Sequence, residues 1–307
     1  MKSAPVQPSY RSASVRQWVT QLWSKGIREN WRPATPAAIK PTPASWSRDQ
    51  VTAAWLGHAT VLINYFGVTI LTDPVLLPRI GIRIPFLFTI GPQRLTTSAL
   101  TVDKLPRIDL ILLSHAHFDH TDLRTLGRFD HRTKVVTAPR TRDLLGWTRL
   151  RDVAELRWGE SRSLETSAGS ITITAVRVKH WGARLHFDNY RGYSAYLLER
   201  NGRRIIFGGD TAMTNDFAPL RRSGGIDLAI MSIGCYNPWI GTHSTPEEAV
   251  QMADDAGAQF IMPVHHQTFR LSFEPFREPI ERFATALQKS PERIALREIG
   301  ETFILPT

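Results

Sequence analysis

Three histidines and an aspartate occupy six consecutive positions, His115-Ala116-His117-Phe118-Asp119-His120, directly after the apolar run Leu110-Ile111-Leu112-Leu113. Side chains alternate along an extended chain, so His115 and His117 point the same way, while Asp119 and His120 turn toward a second point. Imidazole nitrogens and a carboxylate are the donors that suit zinc and comparable divalent cations. A lone histidine is more often structural, but a cluster of this density after a buried strand is better explained by metal binding.

Two cations need further donors, and three candidates stand just after other β-like runs. His180 follows 172–179, Asp210 follows 205–209 and His265 follows 260–264. One aspartate after a strand is ordinarily a turn or cap residue. Jointly, these residues describe a site along one edge of a sheet pair. Gly208-Gly209 ahead of Asp210 lets backbone pass close to such a site. Two cations roughly 3.5–4 Å apart lower the pKa of a shared water, giving a bridging hydroxide that attacks phosphorus or carbonyl carbon. His58 in Gly57-His58-Ala59 and His243 in Gly241-Thr242-His243-Ser244 are second candidates, for binding a substrate phosphate or protonating a leaving group. A hydrogen-bonded structural histidine is the alternative for each.

The elements that must position these residues are short. Runs 61–63 and 68–71 flank Gly67 as a hairpin, and further strands are expected at 110–113, 134–137, 170–178, 193–198, 203–207, 228–231 and 260–262. Asn201-Gly202 signals a type I′ turn. Helices fit at 121–128, 139–146, 245–256 and 276–288. Thr245-Pro246-Glu247-Glu248 supplies an N-cap, a first-turn proline and acids at the helix start. Strands with interspersed helices predict a mixed α/β layer architecture.

Residues 1–50 differ from the rest. Val15, Trp18, Val19, Leu22 and Trp23 mark one face of a short amphipathic helix, and Pro33, Pro36, Pro41 and Pro43 suit a stiff linker. We therefore divide the chain into an N-terminal basic extension, 1–50, and a hydrolase-like domain, 51–307. Of the net charge of +10, the extension carries +6. Such an arm meets anionic surfaces or simply aids solubility. The apolar stretch 75–90, interrupted by Arg79 and Arg83, suggests a lipid-facing or substrate-binding flap, or a packing surface. The single cysteine, Cys235, lies in an apolar run and reads as a buried hydrophobe. With no signal-type h-region and no run approaching the roughly 20 apolar residues of a membrane span, a cytoplasmic protein is expected, with peripheral membrane contact if the apolar features share one side.

The motif His-Ala-His-Phe-Asp-His resembles the His-x-His-x-Asp-His signature of the metallo-β-lactamase superfamily. Trp55-Leu56-Gly57-His58-Ala59-Thr60, Leu71-Thr72-Asp73-Pro74, Lys179-His180-Trp181, Gly208-Gly209-Asp210-Thr211 and His265-His266-Gln267-Thr268-Phe269 are similar to the branch of N-acyl-phosphatidylethanolamine-hydrolysing phospholipase D proteins. Sugar-phosphate lactonases are more distant. The resemblance covers about residues 51–275. It implies a four-layer αββα sandwich with two divalent cations, zinc with iron or manganese as alternatives. His115, His117 and His180 would hold one, Asp119, His120 and His265 the other, with Asp210 bridging. Asp119 would also orient the water. The phospholipase-like pattern has tryptophan where this chain has His266, so His266 competes with His265 as ligand. A phosphodiesterase acting on a phospholipid is the leading expectation. The alternatives are a lactonase on the same site, a nucleic-acid-processing enzyme, for which no additional domain is apparent, and a binding protein on the same scaffold. A small-molecule or lipid substrate is the expected partner. Oligomeric state is not legible.

Overall fold

The computed structural model describes residues 32–84, 88–185 and 187–306. The amphipathic pattern at 15–23 lies outside the described residues. From Val51 the chain forms an antiparallel meander of β1 (Val51–Gly57), β2 (Thr60–Tyr65) and β3 (Val68–Thr72). A two-stranded ribbon, β4 (Ile82–Arg83) and β5 (Thr89–Ile90), interrupts it, and β6 (Leu110–Leu113), β7 (Lys134–Thr137) and β8 (Val153–Glu155) then add in parallel.

The second half begins with antiparallel β9 (Ser161–Thr166), β10 (Gly169–Val176), β11 (Ala195–Arg200) and β12 (Arg203–Phe207). Parallel β13 (Ile226–Ser232) and β14 (Ala258–Val264) complete this six-stranded sheet, and β15 (Thr302–Ile304) returns to pair with β1 at the edge of the seven-stranded one.

Period-two alternation makes the layers. In β11, Tyr196 and Leu198 enter the core between the sheets, together with Trp55, Leu62, Ile173, Phe207 and Ile230. Ala195 and Leu197 point the other way, into a second core with Ile206, Ala229, Met231 and Ile261. The helices α1 (Leu123–Leu126) and α2 (Ala218–Arg222) are single short turns, whereas α3 (Pro246–Asp255) and α4 (Glu278–Ala286) are longer. The longer pair closes the second core with Ala249, Met252, Ala253, Ile280 and Phe283. Complete burial of Phe283 alone contributes roughly 1.5–3 kcal/mol. The result is the αββα sandwich. Thr245 starts α3 with a full capping box, its hydroxyl accepting Glu248 N–H while the Glu248 carboxylate accepts Thr245 N–H.

The segment expected as a helix at 139–146 is instead a 3-10 helix, Arg142–Trp147. The proline-rich stretch lies against the domain. Thr35 pairs with Thr96, and Ala37 is buried in the main core.

Strand direction places the site. β1, β3 and β6 run one way in their sheet, as do β10, β12, β13 and β14 in theirs, so the segments after their C-terminal ends gather at one edge of the sandwich. Cross-sheet bonds tie that edge: Ser194 N–H donates to Ser114 O at 3.0 Å and the Tyr196 hydroxyl to Leu113 O at 3.0 Å. Gly209, at φ +57°, passes so near that an added Cβ would lie 2.8 Å from Ser114 Cβ.

Candidate metal centre

Two groups of donors converge at this edge. In the first, His117 Nδ1 lies 2.8 Å from His115 Nε2 and 3.4 Å from His180 Nε2. His180 Nδ1 is 2.8 Å from the Thr242 carbonyl, which only accepts, so the proton sits on Nδ1 and the Nε2 lone pair faces the cluster. In the second, His265 Nε2 is 3.2 Å from His120 Nε2, and both nitrogens are 3.5 Å from Asp119 Oδ2. Asp210 Oδ2 stands between the groups, 3.1 Å from His120, 3.2 Å from His265 and 4.0 Å from His180. The sequence thus brings all seven expected ligands into one cluster.

His58 and His243 join them. His58 Nε2 is 2.9 Å from Asp119 Oδ2 and within ligand range of the second group; His243 Nδ1 is 3.7 Å from Asp210 Oδ2 and groups with His180. Burial, then a positive His265, push the His58 imidazole down to about 3, and burial holds His243 well below the ordinary histidine value, so both are neutral near pH 7. Of the adjacent pair, His265 reaches the cluster. His266 turns away and packs its ring 4.4 Å from that of Trp55.

Asp73 is the residue that sequence reasoning left without a role. It accepts Ser114 N–H at 2.7 Å, the Ser114 hydroxyl at 2.5 Å and His120 Nδ1 at 2.6 Å, all in a fully buried setting. Three donors on one carboxyl fix the His120 ring and direct its Nε2 at the cluster. Its signal was the aspartate ending the strand in Leu71-Thr72-Asp73-Pro74. His58, Asp73 and His265 all have left-handed backbone, φ 54°, 31° and 65°, a strain that folded proteins retain mostly at functional sites.

The donor set fits divalent cations. His120 and His265 present nitrogens to each other and to two carboxylates, and His117 Nε2, Asp210 Oδ1 and His243 Nδ1 are buried without a hydrogen-bond partner. Positive charge is what such a cluster lacks. Burial opposes protonation of His120, but Asp210, Asp119 and Asp73 outweigh it and raise the imidazole well above its ordinary value. His265 is raised against burial by Asp210 and Asp119. Asp210, despite burial, is held well below the carboxylate range by His120, His265 and His243. The carboxylates that raise His120 and His265 would equally attract cations to this place.

The rim is apolar. Trp181 stands edge-on to His117 at 4.6 Å and is half exposed, with Leu185 and Phe187 exposed beyond it in the same segment. On the ribbon, Ile82, Phe88 and Ile90 are exposed, while Ile80 below them packs with Val75, Phe269 and Phe118 of the histidine motif.

Comparison with known proteins identifies the family and the fold. Residues 69–266 match the beta-lactamase superfamily domain model. The chain is 31% identical over 275 residues to an uncharacterised protein of Mycobacterium tuberculosis, covering 86% of this chain and 71% of that one. It is 31% identical over 245 residues to N-acyl-phosphatidylethanolamine-hydrolyzing phospholipase D 1 of Caenorhabditis elegans, covering 75% and 68%. A metallo hydrolase from the archaeon Ignicoccus hospitalis shares the fold with a TM-score of 0.64 at 18% identity, over 84% of this chain and 99% of that chain.

Proposed function

The chain belongs to the metallo-β-lactamase superfamily and is a metal-dependent hydrolase, and from that premise we propose that it is a phosphodiesterase with a two-cation centre acting on a phospholipid. The observation that carries the proposal is Asp210 Oδ2, set between one group of three donors and a second. His115, His117 and His180 would hold one cation and Asp119, His120 and His265 the other, with Asp210 standing between the two groups. Zinc suits these ligands, with iron and manganese acceptable to the same atoms. Bound there, cations would supply a nucleophilic water at neutral pH and a Lewis acid for the charge that develops on the substrate.

The chain's own groups do the rest. Neutral His58 donates its Nε2 proton to Asp119 Oδ2 and holds that carboxylate in one orientation. His243, facing Asp210, is placed to relay to a leaving alkoxide the proton that the attacking water gives up. A phospholipid is favoured over other phosphodiesters by the similarity to the nematode phospholipase and by the exposed Trp181, Leu185 and Phe187 in the segment after His180. No helix among the described residues is long and apolar enough to cross a membrane.

Elemental analysis, run beside turnover of bis(p-nitrophenyl) phosphate and of N-acyl-phosphatidylethanolamine in mixed micelles, tests this. Two cations per chain, with both substrates cleaved and activity lost in Asp210→Ala, is the expected result. Cleavage of lactones without either phosphodiester would overturn the substrate assignment, and absence of bound metal would overturn the centre itself.

A further inference from the structure

We propose that Arg184 binds the anionic oxygens of the substrate and gives the centre its selectivity for phosphate esters over neutral esters. The proposal rests on the phosphodiesterase function above and deepens it.

Arg184 lies four residues beyond His180 but belongs structurally to the histidine motif. Its Nη1 donates to Ala116 O at 2.9 Å and to Thr121 O at 2.7 Å, bracketing the ligand loop from both ends. The guanidinium carbon stands 3.9 Å from the ring centre of Phe118, which fixes the plane of the group. These contacts use both protons of Nη1. The three N–H groups on Nε and Nη2 have no acceptor among the described residues. A guanidinium offers five N–H donors in a rigid fork, and the Nε–Nη2 edge takes a phosphate or carboxylate through two parallel bonds.

The charge has no ion-pair partner, although Asp122, Asp188 and Asp119 favour it from further away. The nearby carboxylates are already engaged: Asp122 accepts from Arg124 Nε at 3.0 Å and from Thr125 at 2.7 Å, while Asp188 accepts from Arg191 Nε and Leu185 N, each at 2.6 Å. No carboxylate among the described residues forms an ion pair with Arg184. Burial lowers the guanidinium only to about 10, so it remains a cation at neutral pH. A half-buried cation without an ion pair, with a bidentate edge that has no acceptor and fixed to the loop that carries four expected ligands, suits an anion. A phosphodiester reaching the centre brings one, whereas a carboxylic ester or lactone does not.

Arg184→Lys tests the idea, because an ammonium can retain the two carbonyl bonds but not the bidentate edge. Three measurements are needed on metal-loaded protein: cations per chain, kcat/KM for bis(p-nitrophenyl) phosphate relative to p-nitrophenyl acetate, and the Kd of inorganic phosphate by calorimetry. We expect wild-type metal content, a phosphodiester-to-ester selectivity reduced on the order of 10²-fold, and a phosphate Kd weakened by at least tenfold. Lost cations, or both substrates slowed in proportion, would assign Arg184 to support of the loop alone and overturn the proposal. If the wild type cleaves only the neutral ester, the phosphodiesterase function is what fails. Phosphate binding then decides Arg184 separately, and a Kd unchanged in the variant overturns its role.

Discussion

Replacing Asp73 with asparagine removes one charge from the centre while keeping the shape of the side chain. Oδ1 accepts Ser114 N–H at 2.7 Å, and asparagine retains a carbonyl oxygen for that bond. The loss is the anionic Oδ2, 2.6 Å from His120 Nδ1 between two fully buried side chains. A hydrogen bond to a charged group is worth about 1.5–3 kcal/mol, a factor of about 10 to 150 in an equilibrium constant. The new amide also donates toward His120 Nδ1, favouring the tautomer whose proton sits on Nε2, the nitrogen that faces Asp119, Asp210 and His265. We expect the cation at His120 to weaken by roughly 10–100-fold, the usual range for loss of a hydrogen-bond partner behind a ligating histidine. The cation at His115, His117 and His180 should weaken less, because Asp73 reaches that group only through the Ser114 hydroxyl, 2.8 Å from His115 Nδ1. Chelator competition on zinc-loaded protein resolves two steps, and the step at His120 should move further than the other. Equal weakening of both steps, or movement of neither, would refute the reasoning.

Gly209→Ala should lower stability by about 1–3 kcal/mol, because the added Cβ meets Ser114 Cβ at 2.8 Å from a left-handed backbone; a wild-type thermal midpoint would show that the strand ends are not held as closely as described. Thr245→Ala should cost about 1 kcal/mol through loss of the capping box on α3, with metal content at the wild-type level, as read by urea denaturation and elemental analysis. The hydrogen bond from Arg191 holds Asp143 below its ordinary carboxylate value. The clamp therefore contributes fully above the unfolded value of about 4 and fades as pH falls through the lower folded one. Asp188, also bonded to Arg191, is lowered in the same direction, so the stability gap between wild type and Arg191→Met should be widest near neutral pH and narrow toward pH 3, and a gap independent of pH would remove both carboxylates from the clamp.

What the sequence discloses is what depends on near neighbours. The apolar run 110–113 and the residues after it lie within one strand and one turn, so both β6 and the dense donor motif are legible. The same holds for the Thr245 cap of α3 and for the Asn201-Gly202 turn, whose residues adopt φ 48° and 73°. The strand β9 escaped notice because its exposed Ser161, Arg162 and Ser163 give no apolar signal. β15 is a three-residue return to an edge. The stretch at 139–146 has helical composition but winds as a 3-10 helix. Its approach is fixed from outside: the Glu155 carboxylate accepts both Thr141 N–H and Arg142 N–H at 2.8 Å. Asp73 with His120, His58 with Asp119 and Arg184 with Ala116 are pairings across 47, 61 and 68 residues, and no local pattern records them. Residue type suggested a ligand set, whereas the partners that aim each ligand required the folded chain.

The donors come from both sheets: His58, Asp73 and His115 to His120 follow strands of the seven-stranded sheet, and His180, Asp210 and His265 follow strands of the six-stranded one. The centre is therefore a clasp across the seam of the sandwich. Neither half of the chain carries it alone, and His120 meets His265 only across 145 residues. Occupancy of the clasp becomes a gauge of tertiary closure. A chelator should act first by loosening the seam at this end, leaving each sheet's own ladder intact.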